Sequence, residues 1–315
     1  MDKISMVTTF KASDSKKVNV YCWDKIKEPK AVVQIFHGMA EHAGRYEEFA
    51  NFLNSKGIVV YANDHRGHGK TATSEKELGY LGKDGFNRVV MDEIEISMYI
   101  KDKYPETPLF IFAHSFGSFV AQDYITKFPN IKGVILCGSA AQVGFEFRLS
   151  KLIAYIQMKL LGEDAKSNLL HKLGFLWFNK RIPNAKSLLA WLSSDDEEVN
   201  KYIRDKHCGF VCTASFYYYL SEALIGMYSK TKLSNIDKTL PIFIISGEED
   251  PVGKYGRRVV QLHDIYKKIG IKNVNIKLYK DMRHEVLNEK NRQTVFEDVL
   301  YWVENSLSLG RKHQK

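Results

Sequence analysis

A chain of 315 residues, 44% apolar and 26% charged, can bury one large core, which excludes a disordered or fibrous protein. The net charge of +9 is spread along the chain apart from the short tail Arg311–Lys315, so no nucleic-acid partner is expected. Four scattered cysteines, Cys22, Cys137, Cys208 and Cys212, form no disulfide framework, and with only His207 nearby they call for no metal.

Residues 1–10 carry Asp2 and Lys3 and no apolar block of signal-peptide length, so a cytoplasmic location with reduced thiols is expected. The first strand-like segment is Lys17–Trp23, where Val18, Val20 and Cys22 alternate onto one face. Ala31–Phe36, Ile58–Ala62, Leu109–Ala113, Val134–Cys137, Ile242–Ile245 and Val274–Leu278 are short apolar runs, as strands buried on both faces require. Helical patterns fall between them, at about 46–55, 85–103, 116–128, 256–269 and 292–306. This alternation predicts an α/β fold with a mostly parallel sheet.

The rhythm breaks between residues 141 and 238, which read as several short helices. The expected division is therefore a core of 1–140 and 239–315, with 141–238 as a helical cap over the C-terminal edge of the sheet. Within the cap, residues 147–161 place Leu149, Leu152, Ile153, Ile156 and Leu160 on one helical face. Arg148, Lys151 and Lys159 fall on the other, which suits either an anionic membrane surface or plain solvent. Residues 209–228 hold Glu222 as their one strongly charged residue, but their Ser, Thr, Gly and Tyr217–Tyr219 suit a pocket wall or core more than a membrane span.

Chemistry concentrates where strands end. Leu109–Ala113 runs into His114-Ser115-Phe116-Gly117-Ser118 and then a helical segment, the layout of a nucleophile elbow, with the small residues Ala113 and Gly117 two positions before and after Ser115. Such a Ser needs a base, and the base needs an orienting carboxylate, each in a later strand-end loop. After Ile242–Ile245 comes Ser246-Gly247-Glu248-Glu249-Asp250-Pro251-Val252; after Val274–Leu278 comes Tyr279-Lys280-Asp281-Met282-Arg283-His284. His284 is the expected base. The Asp-Pro-Val step favours Asp250 as its partner, with Glu248, Glu249 and Asp281 as alternatives. A developing oxyanion needs two N–H donors. Phe116 supplies one as the residue after the nucleophile, and Met39, in the loop His37-Gly38-Met39-Ala40-Glu41-His42, supplies the other.

These motifs together resemble the monoacylglycerol lipase and lysophospholipase group of α/β-hydrolases, within the serine aminopeptidase clan. His37–His42 through Arg45-Tyr46 is similar to that group's oxyanion loop, and Asp64-His65-Arg66-Gly67-His68-Gly69 to its second signature. The elbow resembles its Gly-His-Ser-Met-Gly form, with Ala113, Phe116 and Ser118 as departures. Trp191-Leu192-Ser193-Ser194-Asp195, Tyr202, Asp205 and Cys208-Gly209-Phe210 also look like that group. The resemblance implies an α/β-hydrolase fold: an eight-stranded mostly parallel sheet, helices on both faces and a helical lid after the sixth strand. It also implies cofactor-free hydrolysis of lipophilic carboxylic esters such as monoacylglycerols or lysophospholipids. Phe145, Leu149, Leu152 and Ile153 are candidates for an acyl channel, or else they pack the cap onto the body. A peptidase or thioesterase on the same scaffold, or a non-catalytic lipid binder, are the rival readings; the one acidic run in the cap, Asp195–Glu198, reads as a helix N-terminus.

Overall fold

A computed structural model describes residues 6–311, with side chains through residue 308; Asp2, Lys3 and the tail from residue 312 lie outside them. Eight strands form one sheet: β1 (Met6–Lys11), β2 (Lys17–Trp23), β3 (Ala31–Phe36), β4 (Ile58–Asn63), β5 (Leu109–His114), β6 (Gly133–Cys137), β7 (Ile242–Gly247) and β8 (Val274–Tyr279). Their order is β1-β2-β4-β3-β5-β6-β7-β8. The β1–β2 and β2–β4 pairs are antiparallel and all others are parallel. Seven of these strands coincide with the segments expected from the sequence, and β1 is additional. Met6–Lys11 is an edge strand with no buried residue, so it carries no apolar run to betray it.

The helices outside the β6–β7 connection are α1 (Glu47–Ser55), α2 (Gly85–Lys103) and α3 (Phe116–Tyr124), then, after β7 and β8, α9 (Arg257–Lys268) and α10 (Arg292–Arg311). The connection itself contributes α4 (Glu146–Leu161), α5 (Asn168–Phe175), α6 (Asp196–Arg204), α7 (Ala214–Gly226) and α8 (Lys230–Ser234). Helix α3 ends earlier than its apolar pattern predicts, because residues 125–127 close in turns ahead of Pro129.

Why the central strands read as unbroken apolar runs is plain from their two faces. Ile111 and Ala113 of β5 pack with Phe86, Val89 and Val90 of α2, Phe119 and Val120 of α3 and Leu262 of α9. Phe110 and Phe112 pack instead with Phe49 and Leu53 of α1 and Val295, Phe296 and Val299 of α10. Every residue of β3, β4, β5, β6 and β7 is buried. The parallel strands therefore aim their C-terminal ends, and the loops that follow, at one edge. The connection packs on this body: Phe216, Tyr217 and Leu224 of α7 belong to the same core as α2 and α3. No helix of the described residues is long and apolar enough to cross a membrane.

Candidate active site

Helix α3 starts one residue after Ser115, and Ser115 takes the sharp turn itself, with φ 51° and ψ −119°. A non-glycine residue holds such a backbone only where its surroundings fix it. Here Ser115 N–H donates to Cys137 O at 2.9 Å, tying the elbow to β6. The +2 position must be glycine: a Cβ on Gly117 would lie 2.3 Å from Phe36 O and 2.5 Å from His37 O, both backbone atoms.

Three strand ends then deliver three side chains to one place. Ser115 Oγ lies 2.8 Å from His284 Nε2, and His284 Nδ1 lies 2.9 Å from Asp250 Oδ2. Asp250 also accepts from Ser246 Oγ at 3.0 Å and from Val252 N–H at 2.8 Å, so its carboxylate is fully engaged. Glu248, Glu249 and Asp281 make no described contact with His284. Burial disfavours the charge on Asp250, but His284 and these donors outweigh it and hold its carboxyl below the ordinary 3.8. Burial likewise works against an imidazolium at His284, and the Asp250 charge overcomes it and raises the pKa above 6.5. His114, whose ring lies 4.8 Å from that of His284, is pushed down to about 4 by burial and by His284. One histidine is thus poised to take a proton while its neighbour stays neutral.

Phe116 is the first residue of α3, where the backbone N–H has no partner within the helix. Met39 lies in the loop after β3, between Gly38, on which a Cβ would stand 3.3 Å from Ser115 Cβ, and Ala40, at φ 55°. That loop is held from several sides. Glu41 Oε1 accepts from Gly38 N–H at 2.6 Å and from Tyr46 Oη–H at 2.9 Å, and Glu41 Oε2 accepts from Arg45 at 2.5 Å. Arg45 also makes a bidentate pair with Glu285, at 2.8 and 2.7 Å, and so ties the Met39 loop to the residue beside His284. Burial opposes the Glu285 charge, but Arg45 prevails and takes its carboxyl from 4.5 to about 2. Glu41 and Arg45 stand in the loop motif with no local pattern that assigns them this role, and nothing in the sequence around Glu285 marks it.

Residues 64–69 brace the same edge. Asp64 accepts from Ala43 N–H at 2.9 Å and Lys70 N–H at 2.7 Å, and His37 Nε2 accepts from His65 N–H at 2.9 Å. Burial and neighbouring histidines depress His37 and His68, so both are neutral struts rather than acids. From the insertion, Ala40 O accepts from Tyr202 Oη–H at 2.7 Å and from Gly209 N–H at 2.8 Å. The Trp191 ring lies 5.1 Å from that of His284, and Leu192 O accepts Glu285 N–H at 2.7 Å. Asp195 caps α6, with Asp196, Glu197 and Glu198 in its first turn.

The four acyl-channel candidates separate. Phe145 lines a cleft of about 440 Å³ with Val143, Phe147, Leu224 and Tyr228. It is 74% exposed, Leu149 48% and Leu152 55%, whereas Ile153 packs half-buried against the main core. Among the described residues, His42, Asp205 and Cys208 are the one group with donor atoms close enough for a metal, within 4.8 Å. His42 and Asp205 already serve one another. His42 Nδ1 accepts from Gly44 N–H at 3.2 Å, so the ring proton sits on Nε2 and is donated to Asp205 Oδ2 at 2.9 Å. His42 therefore offers a cation no free lone pair.

A sequence model of the family described as serine aminopeptidase, S33, matches residues 27–291. A monoacylglycerol lipase of Mycolicibacterium smegmatis is 27% identical over 291 residues, which span 90% of this chain and 92% of that protein. A monoglyceride lipase of Homo sapiens is 24% identical over 284 residues, spanning 89% of this chain and 84% of its own. Among solved structures, a thermostable carboxyl esterase from Bacillus coagulans in complex with glycerol superposes with a TM-score of 0.88 at 28% identity, covering 96% of this chain and 98% of that one.

Proposed function

Because the chain belongs to the serine aminopeptidase S33 family and has the α/β-hydrolase fold, we propose that it hydrolyses carboxylic esters of lipophilic substrates, monoacylglycerols or lysophospholipids foremost. The single observation that carries this reading is the unbroken contact from Ser115 Oγ through His284 to Asp250, set on a strained elbow.

In this mechanism Ser115 Oγ attacks the ester carbonyl as its proton passes to His284 Nε2. Asp250 fixes the tautomer through Nδ1 and stabilises the imidazolium. The Phe116 and Met39 N–H groups receive the oxyanion. Collapse breaks the carbon–oxygen ester bond, and the leaving alkoxide takes the proton from His284. Water then loses a proton to His284, attacks the acyl-enzyme and releases the carboxylic acid with Ser115 restored. No step requires a cofactor.

Residues 141–238 act in this reading as a cap, and the exposed row Leu149, Leu152, Ile156 and Leu160 on α4 as its contact with a lipid surface. The carboxylates of the acidic run do not favour a peptidase. Asp195 caps its helix, Asp196 pairs with Lys186, Glu198 pairs with Lys201, and Glu197 lies exposed in the first turn of α6.

The test is hydrolysis of p-nitrophenyl esters from acetate to palmitate, followed by monoacylglycerols and lysophospholipids. Turnover should peak at medium or long chains and fall by roughly 10³-fold or more in Ser115→Ala. Turnover of acetate alone would remove the lipid part of the reading, and undiminished activity in Ser115→Ala would remove the mechanism.

A further inference from the structure

Ser118, one of the chain's departures from the elbow it resembles, has a buried hydroxyl that the mechanism above leaves unused. Ser118 Oγ–H donates to Ser115 O at 2.6 Å. The same carbonyl accepts Ser118 N–H at 2.8 Å and Phe119 N–H at 3.3 Å. Ser115 C=O and Phe116 N–H belong to one planar peptide and point in opposite directions. Whatever grips the Ser115 oxygen therefore sets the direction of the Phe116 N–H. Drawing electron density toward that oxygen also makes the N–H a stronger donor.

The hydroxyl is itself held from behind. Ser118 Oγ and Ser139 Oγ lie 2.8 Å apart. A hydroxyl has one proton, and that of Ser118 is committed to Ser115 O, so Ser139 donates here. Ser139 Oγ accepts from Gln122 Nε2 at 3.1 Å, and Gln122 Oε1 accepts from Tyr228 Oη–H at 2.8 Å. Tyr228 Oη accepts in turn from Gln142 N–H at 3.2 Å, and Gln142 Oε1 from Arg258 Nη1 at 3.3 Å. From Gln142 N–H inward each link donates toward the elbow, so these successive bonds polarise one another in the same sense. Ser118 and Ser139 are fully buried and Gln122 and Gln142 nearly so, which keeps water from competing for the inner links. The outer end, Gln142 and Tyr228, lines the cleft of about 440 Å³ beside α4 and α7.

We propose that Ser118 is a positioning residue for the oxyanion hole, acting through the Ser115–Phe116 peptide at the inner end of this hydrogen-bond chain. The proposal rests on Ser115 being the nucleophile and Phe116 N–H an oxyanion donor.

The experiment measures kcat and KM on a medium-chain p-nitrophenyl ester for wild type, Ser118→Ala, Tyr228→Phe and Ser115→Ala. Inhibition by an alkyl trifluoromethyl ketone, whose Ser adduct places an oxyanion in the hole, is measured alongside. Losing one neutral hydrogen bond should lower kcat of Ser118→Ala about 3- to 10-fold with KM unchanged, and weaken the ketone by the same factor. Tyr228→Phe, three links away, should show the same pattern at smaller size. A kcat for Ser118→Ala within twofold of wild type, or a loss of kcat with ketone affinity intact, would overturn the positioning role. Undiminished turnover by Ser115→Ala would instead overturn the reading beneath it, so the two failures are told apart.

Discussion

Strand β5 and helix α4 are both rich in large apolar residues, and the protein treats them oppositely. All six residues of β5 are buried, and Ser115 stands at its end. Of the sixteen residues of α4 only Ala154 is buried, while Leu149, Leu152, Tyr155, Ile156, Leu160 and Leu161 face outward. Apolar sequence in the sheet gives rigidity and a fixed active-site geometry. In the insertion it leaves an apolar surface that a folded monomer has no internal reason to display. The difference teaches that composition marks where apolar side chains are, whereas the partner they meet depends on topology.

The sharpest way to break this contrast is at the rigid end. Asp250→Asn should preserve the fold yet lower kcat by roughly 10⁴-fold, because His284 loses the partner that fixes its tautomer; steady-state kinetics on a p-nitrophenyl ester would read it. A loss under tenfold would mean that another group orients His284. Next in size is Arg45→Met, which strands Glu41 and Glu285 in the interior and should cost about 3–5 kcal/mol in urea unfolding. The Glu285 carboxyl titrates at about 2 when folded against 4.5 ordinarily, so its contribution is complete above 4.5 and lost as pH falls toward 2. The gap between wild type and Arg45→Met should narrow over that range.

A smaller effect concerns the base. His284 must be neutral to accept the Ser115 proton, and its pKa lies above 6.5. The profile of kcat/KM against pH should therefore show an acid limb with its midpoint above 6.5 and a slope of about tenfold per unit below it. A midpoint below 6.5 would contradict the hold that Asp250 exerts. The smallest change in stability per site belongs to α4: Leu149, Leu152 and Ile156 replaced together by Ser should alter unfolding by under about 1.5 kcal/mol, about 0.5 kcal/mol a site. The same variant should lose co-sedimentation with anionic phospholipid vesicles. Retained vesicle binding would show that the exposed face is not the lipid contact.

Much of this was legible in the sequence for one reason. Ser115, Asp250 and His284 each follow a strand whose apolar run announces it, so their placement needs only the strand order rule for α/β sheets. The buried strands were equally plain, while β1, an edge strand with Met6 and Val7 exposed, had no such mark. The Arg45–Glu285 pair was illegible because its partners are 240 residues apart and neither has a local pattern. The exposure of Leu149 and Leu152 was illegible for the opposite cause. A helical stripe of apolar residues has the same period whether it meets a core or open solvent.

The hydrogen bonds on Ala40 O divide the insertion into parts with different freedom to be exchanged. Residues 190–213 are stitched to the body: Ala190 O and Ser193 O accept from Arg283, Tyr202 and Gly209 donate to Ala40, and Thr213 donates to Gly79 O. Helix α4 is tied to the body by one ion pair, Glu146 Oε1 accepting from Arg258 Nη2 at 2.5 Å, and its main packing is on α7. A chimaera that borrows residues 145–161 from a relative would change the outer surface and keep the catalytic loops in register. One that also takes residues 190–213 would import a foreign collar around Met39 and His284, and its turnover would then report on the graft rather than on the borrowed specificity.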